Sequence, residues 1–232
     1  MPRFRIEFTK GDEVRFLSHL DVMKAFERAI RRAGMPIAFS EGFNPHPKMN
    51  FASALAVGVT SEAEFMDIEL KENLPSAEVV KMLAKALPPG LDVKIGREVP
   101  DGAPALMSEV NRAVYQVKST LELAVDPGQV ADKLKDFMGL SEVVITKRTK
   151  KGLKPKDIKP GILGLDVSTE QGILKLTILT ITGSEGNVRP EEVVQAFAER
   201  SGLPIDCDSL YIRRLGLYVE KNGKMINPMD AE

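Results

Sequence analysis

The sequence predicts an α+β fold built from two ferredoxin-like units, each running β-α-β-β-α-β, packed together. Three observations predict it. Short alternating apolar runs and amphipathic helical runs follow one another in that order over the first hundred residues. The same order returns in the second half. Between them lies "PDGAPALMSEVN", a stretch with the proline and glycine content of a linker. The units are expected at 1–104 and 105–232.

The first unit opens with "RFRIEF", where Phe4, Ile6 and Phe8 share one face of a half-buried strand. "SHLDVMKAFERAIRRAG" reads as a helix. Ser18 is its N-cap, Asp21 completes a capping-box pattern with the shorter acid, and Gly34 ends it. Val22, Met23, Phe26, Ala29, Ile30 and Ala33 line its apolar face, and Lys24, Arg28, Arg31 and Arg32 the other. "PIAF" is read as a short strand and "NFASALAVGV" as partly extended. "EFMDIEL" is a strand, "PSAEVVKMLAKALPPG" a helix and "LDVKIGREV" a strand.

In the second half "AVYQVKSTLEL" is a strand and "PGQVADKLKDFMG" a helix. "EVVITKRT", "GILGLDVS" and "GILKLTILTIT" are strands. "RPEEVVQAFAERSG" is a helix with Pro190 in its first turn and Gly202 at its stop. "LYIRRLGLYVE" is a strand, and Asn222–Gly223 signals a hairpin turn.

Composition narrows the function classes. The 232 residues carry a net charge of −1, so any polyanion site must be a local patch. One cysteine, Cys207, excludes an internal disulfide and Cys-rich metal sites, and suits a reducing cytoplasm. The N-terminus reads as a strand and not a signal peptide, and no apolar run approaches the ~20 residues of a membrane span. No Walker, dinucleotide or nucleophile-elbow spacing is present, so no cofactor is expected.

Three stretches carry candidate chemistry. In "SEGFNPHPKMNF" two prolines push Asn44 and His46 toward extended backbone, and Gly42 permits a tight turn. Such a stiff loop either tucks Phe43 into the core, or presents Ser40, Gly42, Phe43, Asn44, His46 and Lys48 to a polar ring and a phosphate, as in single-stranded RNA. His19, beside the N-cap, falls on the apolar face of its helix. It is either a satisfied core-edge histidine or a partner of His46 in a shared cleft with Arg15 and Asp21. Two histidines could run acid–base chemistry on a 2′-OH, which makes His19 and His46 the catalytic candidates. With Asp21 they do not form a known metal-ligand spacing, so no metal is expected. In "KRTKKGLKPKDIKPG", seven basic residues between Lys147 and Lys159 face one acid, Asp157. This reads as a mobile basic loop at 147–159, with Arg148 and Lys151 as candidate phosphate contacts.

The motifs Phe16–Leu17–Ser18–His19–Leu20–Asp21, Ser40–Glu41–Gly42–Phe43–Asn44–Pro45–His46–Pro47–Lys48 and Val57–Gly58–Val59 resemble the N-terminal signature of the radical SAM-linked protein family. That bacterial domain is fused to, or encoded beside, a radical SAM protein with a cobalamin-binding-type domain. The resemblance covers the first 70 residues most strongly. The chain has no radical SAM cysteine triplet, so the resemblance implies a stand-alone partner of a radical SAM protein. It brings no catalytic residue with it. A looser architectural similarity is to the RAMP endoribonucleases, although their glycine-rich C-terminal loop is not evident in "RRLGLYVEKNG".

The expectation is therefore an RNA-binding or substrate-presenting subunit, not catalytic by itself, whose partners are a radical SAM protein and structured or single-stranded RNA, with no membrane. The alternatives are a metal-independent RAMP-like endoribonuclease and a scaffold that contacts only its protein partner.

Overall fold

In the computed structural model all residues are described except Glu122, Ala124, Lys150, Lys151 and Glu232. The chain forms two compact units, Met1–Asn111 with Arg214–Glu232, and Arg112–Arg213. The fold is α+β, as the sequence predicts, and the first unit has the ferredoxin-like element order, whereas the second carries four strands between its two helices.

In the first unit β1 (Arg3–Lys10) lies between β3 (Val59–Glu69) and β4 (Val93–Val99), antiparallel to both. The three-residue β2 (Met49–Phe51) pairs with one end of β3. The resulting order β4-β1-β3-β2 is the ferredoxin-like arrangement. The strand β10 (Tyr211–Lys221), within which the division between units falls, also borders β3. It turns back into β11 (Lys224–Ile226). Asn222 and Gly223 both take positive φ at that turn, as the Asn-Gly signal predicts.

Helices α1 (His19–Arg32) and α2 (Ser76–Ala86) cover one sheet face. The alternation of β1 sends Phe4, Ile6 and Phe8 into that core, against Val22, Phe26 and Ile30 of α1 and Val79 and Leu83 of α2. Phe8, Phe26 and Phe51 meet edge to face, with centroids 4.8–5.9 Å apart. The N-terminus of α1 is closed as its sequence predicts: Ser18 accepts from the Asp21 N–H, and Asp21 accepts from the Ser18 N–H.

The other face of β1 is polar, with Arg5 buried on it and Arg3, Glu7 and Thr9 half-buried. Arg5 forks onto Asp67, its cross-strand partner, at 2.8 and 3.0 Å, and its third nitrogen donates to the Pro228 carbonyl at 2.8 Å. Arg97 binds Asp230 at 2.6 Å. These contacts fold the C-terminal segment onto the first unit. The sequence expectation had kept it with residues 105–232.

After the short α3 (Leu106–Glu109), the second unit holds β5 (Arg112–Thr120), α4 (Pro127–Gly139), β6 (Val144–Thr149), β7 (Gly152–Asp157), β8 (Ile162–Glu170), β9 (Ile173–Ile181) and α5 (Pro190–Ser201). The order β5-β9-β8 is antiparallel throughout. Helices α4 and α5 meet through Phe137 and Phe197 at 5.4 Å. Gly202 stops α5 at φ +68°, a left-handed cap that favours glycine.

Three local expectations are corrected. "PIAF" makes only isolated bridges, Ile37 to Leu70 and Phe39 to Pro47, because Pro36 and the Met35–Ile37 turn interrupt any ladder. The expected linker buries Leu106 and Val110, so it is packed. The expected mobile basic loop is the β6–β7 hairpin, in register from Val144 opposite Asp157.

Candidate functional site

The loop after α1 is closed at its base. The Ser40 N–H donates to the His46 carbonyl at 2.8 Å, and the His46 N–H donates to the Ser40 hydroxyl at 3.0 Å. Below that clasp Phe39 bridges Pro47 and the Lys48 N–H donates to Ala38. Residues 41–45 are thereby pushed out as a tip, with Gly42 at φ +125°. Phe43 stands on that tip at 106% relative exposure, so it is not a core residue.

Between this loop and α1 lies a cavity of about 710 Å³. Ile30, Met35, Ile37 and Phe39 give it an apolar lining, and Pro45, His46 and Pro47 form the loop side. Its helix wall carries Lys24, Arg28 and Arg31 with Glu27. Arg28 and Arg31 make no side-chain hydrogen bond or ion pair among the described residues. An apolar surface beneath uncompensated cations suits a ligand that is flat and apolar in one part and anionic in another.

A second polar group of this unit is buried. Arg214 forks onto Glu64, with Lys10 nearby donating to the carbonyls of Arg15 and Leu17, both at 2.9 Å. Glu64 stands opposite Phe8 in the ladder, at the edge of the helix-covered core. The His19 ring meets Phe51 edge to face at 5.3 Å. Burial holds the His19 imidazole below its ordinary pKa, the Glu64 carboxylate pulls it back up, and Arg214 pushes it down. Burial likewise lowers the Lys10 pKa, against the pull of Glu64.

The structure therefore distributes the residues singled out in the sequence. His46 lines the cavity and Phe43 overhangs the same loop. Asn44 is exposed on the tip, and Ser40 and Gly42 shape it. His19 is absent from the lining, which draws on the later turns of α1 and not on its start. No contact joins the two imidazoles among the described residues. Asp21 serves the helix cap, and its Ser18 hydrogen bonds hold its carboxyl below the usual range. Arg15 donates to the Gly58 carbonyl at 2.9 Å and sits over the exposed Phe16 ring at 5.1 Å. Lys48 pairs with Glu69 at 2.8 Å. Arg148 belongs to the second unit, where it borders a cleft between β6 and α5. Lys151 lies outside the described residues.

Sequence reasoning noticed Lys24, Arg28 and Arg31 as a polar helix face but did not connect them with the loop. Their signal was the i, i+4 and i, i+3 spacing that stacks cations on one side. Lys10, Glu64 and Arg214 left no such signal. Each is a charged residue within an apolar alternation, and a single sequence does not show what it faces. Among the described residues no group of three or more His, Cys, Asp or Glu side chains could hold a metal, and no helix is long and apolar enough to cross a membrane.

The chain belongs to the family described as an uncharacterized protein conserved in bacteria (DUF2344), which matches residues 3–190. No curated protein matches the sequence. Among solved structures it is similar to a chain in the crystal structure of a Cbf5-Nop10-Gar1 complex, with 11% identity and a TM-score of 0.50 over 92% of this chain and 47% of that one. It also matches the archaeal box H/ACA sRNP Nop10-Cbf5 complex, with 9% identity and a TM-score of 0.45 over 92% and 46%. A third match is an unknown protein from Galdieria sulphuraria, with 12% identity and a TM-score of 0.27 over 92% and 98%. The chain spans about half the length of the first two. At 11% identity the first likeness is one of fold alone.

Proposed function

We propose that this protein is a non-catalytic RNA-binding or substrate-presenting subunit, and that its first unit takes single-stranded RNA in the cavity beside α1. The observation that carries this reading is the pairing of unneutralised Arg28 and Arg31 with an apolar lining, beneath a loop that holds Phe43 fully in solvent. Bases stack on exposed rings without regard to sequence, and guanidinium groups receive the phosphates. The resemblance of the N-terminal motifs to the radical SAM-linked family supports a radical SAM protein as the partner served.

The test is fluorescence anisotropy of a 5′-fluorescein-labelled 15-nucleotide single-stranded RNA. Affinity is expected to fall with rising salt, with a log–log slope that shrinks by about 0.7 for each phosphate contact removed in Arg28→Gln or Arg31→Gln. The same RNA, recovered after incubation, is expected to run intact on a denaturing gel. Binding that is absent, or unaltered in the Arg28→Glu/Arg31→Glu double variant, overturns the site. Cleavage that disappears in His46→Ala replaces the binding subunit with a nuclease.

A further inference from the structure

The β6–β7 hairpin is a two-stranded sheet of its own within the second unit. In its register Thr146 faces Pro155, with Val144 opposite Asp157 and Arg148 opposite Leu153. Proline has no N–H to give a neighbour, and a sheet admits it where that position faces outward. Antiparallel ladders alternate inward and outward backbone groups. The outward row of β7 is therefore Leu153, Pro155 and Asp157, and that of β6 is Val144, Thr146 and Arg148.

The two edges differ in kind. Pro155 breaks the β7 row, and the Asp157 carboxylate at its end is taken by the N–H groups of Val143 and Lys159 at 2.8 and 3.0 Å. This is the usual way a sheet edge is blocked. The β6 row contains no proline and offers three N–H and three C=O groups. No other strand pairs with β6 among the described residues.

The open edge also borders a cleft. Val144 to Arg148 line a cavity of about 540 Å³ whose other wall is α5, with Glu192, Gln195, Ala196 and Glu199, and Arg189 at its N-cap. Lys147 and Lys156 both reach Glu192, at 3.5 and 3.9 Å, and Lys156 donates to the Asn187 carbonyl at 2.7 Å. The hairpin is thus tied to α5, and Glu192 is already neutralised. Arg148 has no ion pair among the described residues, and Arg189 has a long one, 3.9 Å, to the exposed Glu191. Two cations, Arg148 and Arg189, remain on the rim against one carboxylate without a cation, Glu199, which accepts from Gln195 at 3.1 Å.

We propose that β6 accepts an extended peptide segment of a partner protein as a third strand, laid between the hairpin and α5, with an acidic side chain of that segment on Arg148 and Arg189. The backbone row decides for peptide over RNA. Alternating donors and acceptors are matched by another strand, whereas an RNA backbone brings mostly phosphate acceptors, with the 2′-OH as its one donor group. Val144 to Arg148 span about 13 Å at strand rise, enough to pair about five residues of the guest.

A random decapeptide phage library, selected on the immobilised full-length protein, supplies the probes, and synthetic copies of the selected peptides are titrated by anisotropy. Selected peptides are expected to carry an acidic residue. Their affinity should fall at least tenfold on Thr146→Pro, which removes one outward N–H and no ladder bond, and stay within twofold on Thr146→Ala. Circular dichroism and Tm check that the proline variant folds. If it does not, N-methylation of alternate peptide residues makes the same test from the guest side and is expected to abolish binding. Selection that yields no binder, or binders indifferent to both changes, overturns the proposal. So does a labelled 15-nucleotide RNA whose binding is lost on Thr146→Pro, or a dimer in sedimentation that Thr146→Pro dissociates.

Discussion

The guanidinium of Arg214 holds the carboxylate of Glu64 in a fork, Nε to Oε1 and Nη2 to Oε2, each at 2.7 Å and 150 residues apart in sequence. Both side chains are nearly inaccessible, at 1% and 6%. A charge pair so enclosed costs solvation on both sides, and it repays that cost only while both partners are present.

Removing one partner should therefore be severe. Glu64→Ala or Arg214→Ala is expected to lower unfolding free energy by about 3–5 kcal/mol, whereas the apolar double replacement Glu64→Met/Arg214→Leu should recover most of it. Urea titrations of the three variants check this. A cost below about 1 kcal/mol for either single change would mean that water reaches the pair.

The cap of α1 makes a smaller and separable contribution. Ser18→Ala should cost about 1 kcal/mol through the lost acceptor for the Asp21 N–H. Asp21 has a folded pKa below its unfolded one, so its share is present above the ordinary carboxylate value near 3.8 and is lost as pH falls through the lower folded value. In Ser18→Ala that component of the acid limb of a stability–pH curve should shrink, because the hydroxyl is lost while the Ser18 N–H still donates to Asp21.

His19 shares the preference for the unprotonated form, which in its case is the neutral one. Its folded pKa lies below the unfolded 6.5, so the unfolded chain binds the proton first as pH falls. Stability is then fully present above pH 6.5 and declines below it, until the folded value is passed. Facing it are Glu64, which opposes the shift, and Arg214, which adds to it. Thermal melts should show a drop in Tm between pH 7.5 and 5.5 that is smaller in His19→Phe, which keeps a ring against Phe51 without a titrating nitrogen.

Phe43 separates binding from folding. Fully exposed, it should be replaceable by alanine within about 0.5 kcal/mol of stability. If a base stacks on it, the same change should weaken RNA binding by about 1–3 kcal/mol. Equal RNA affinity of the two proteins would remove Phe43 from the site, and a large loss of stability would show that the loop is part of the core.

By itself the sequence determined the main helices, most of the strands and several of their ends. The period-2 run Phe4, Ile6, Phe8, the capping pair Ser18 and Asp21, Gly202 at its stop and the Asn222–Gly223 turn are local physics, decided by neighbours within four residues. The two prolines that constrain the loop at 40–48 were legible for the same reason. The rest required the chain to meet itself. Whether Phe43 is core or surface depends on what lies across from it. Tertiary structure alone placed His46 against the later turns of α1 and His19 against Phe51, because one helix carries the two ends of that question to different neighbours. It likewise turned a run of cations into a hairpin with one blocked edge and one open edge, because strand pairing is a relation between segments and no single segment encodes it.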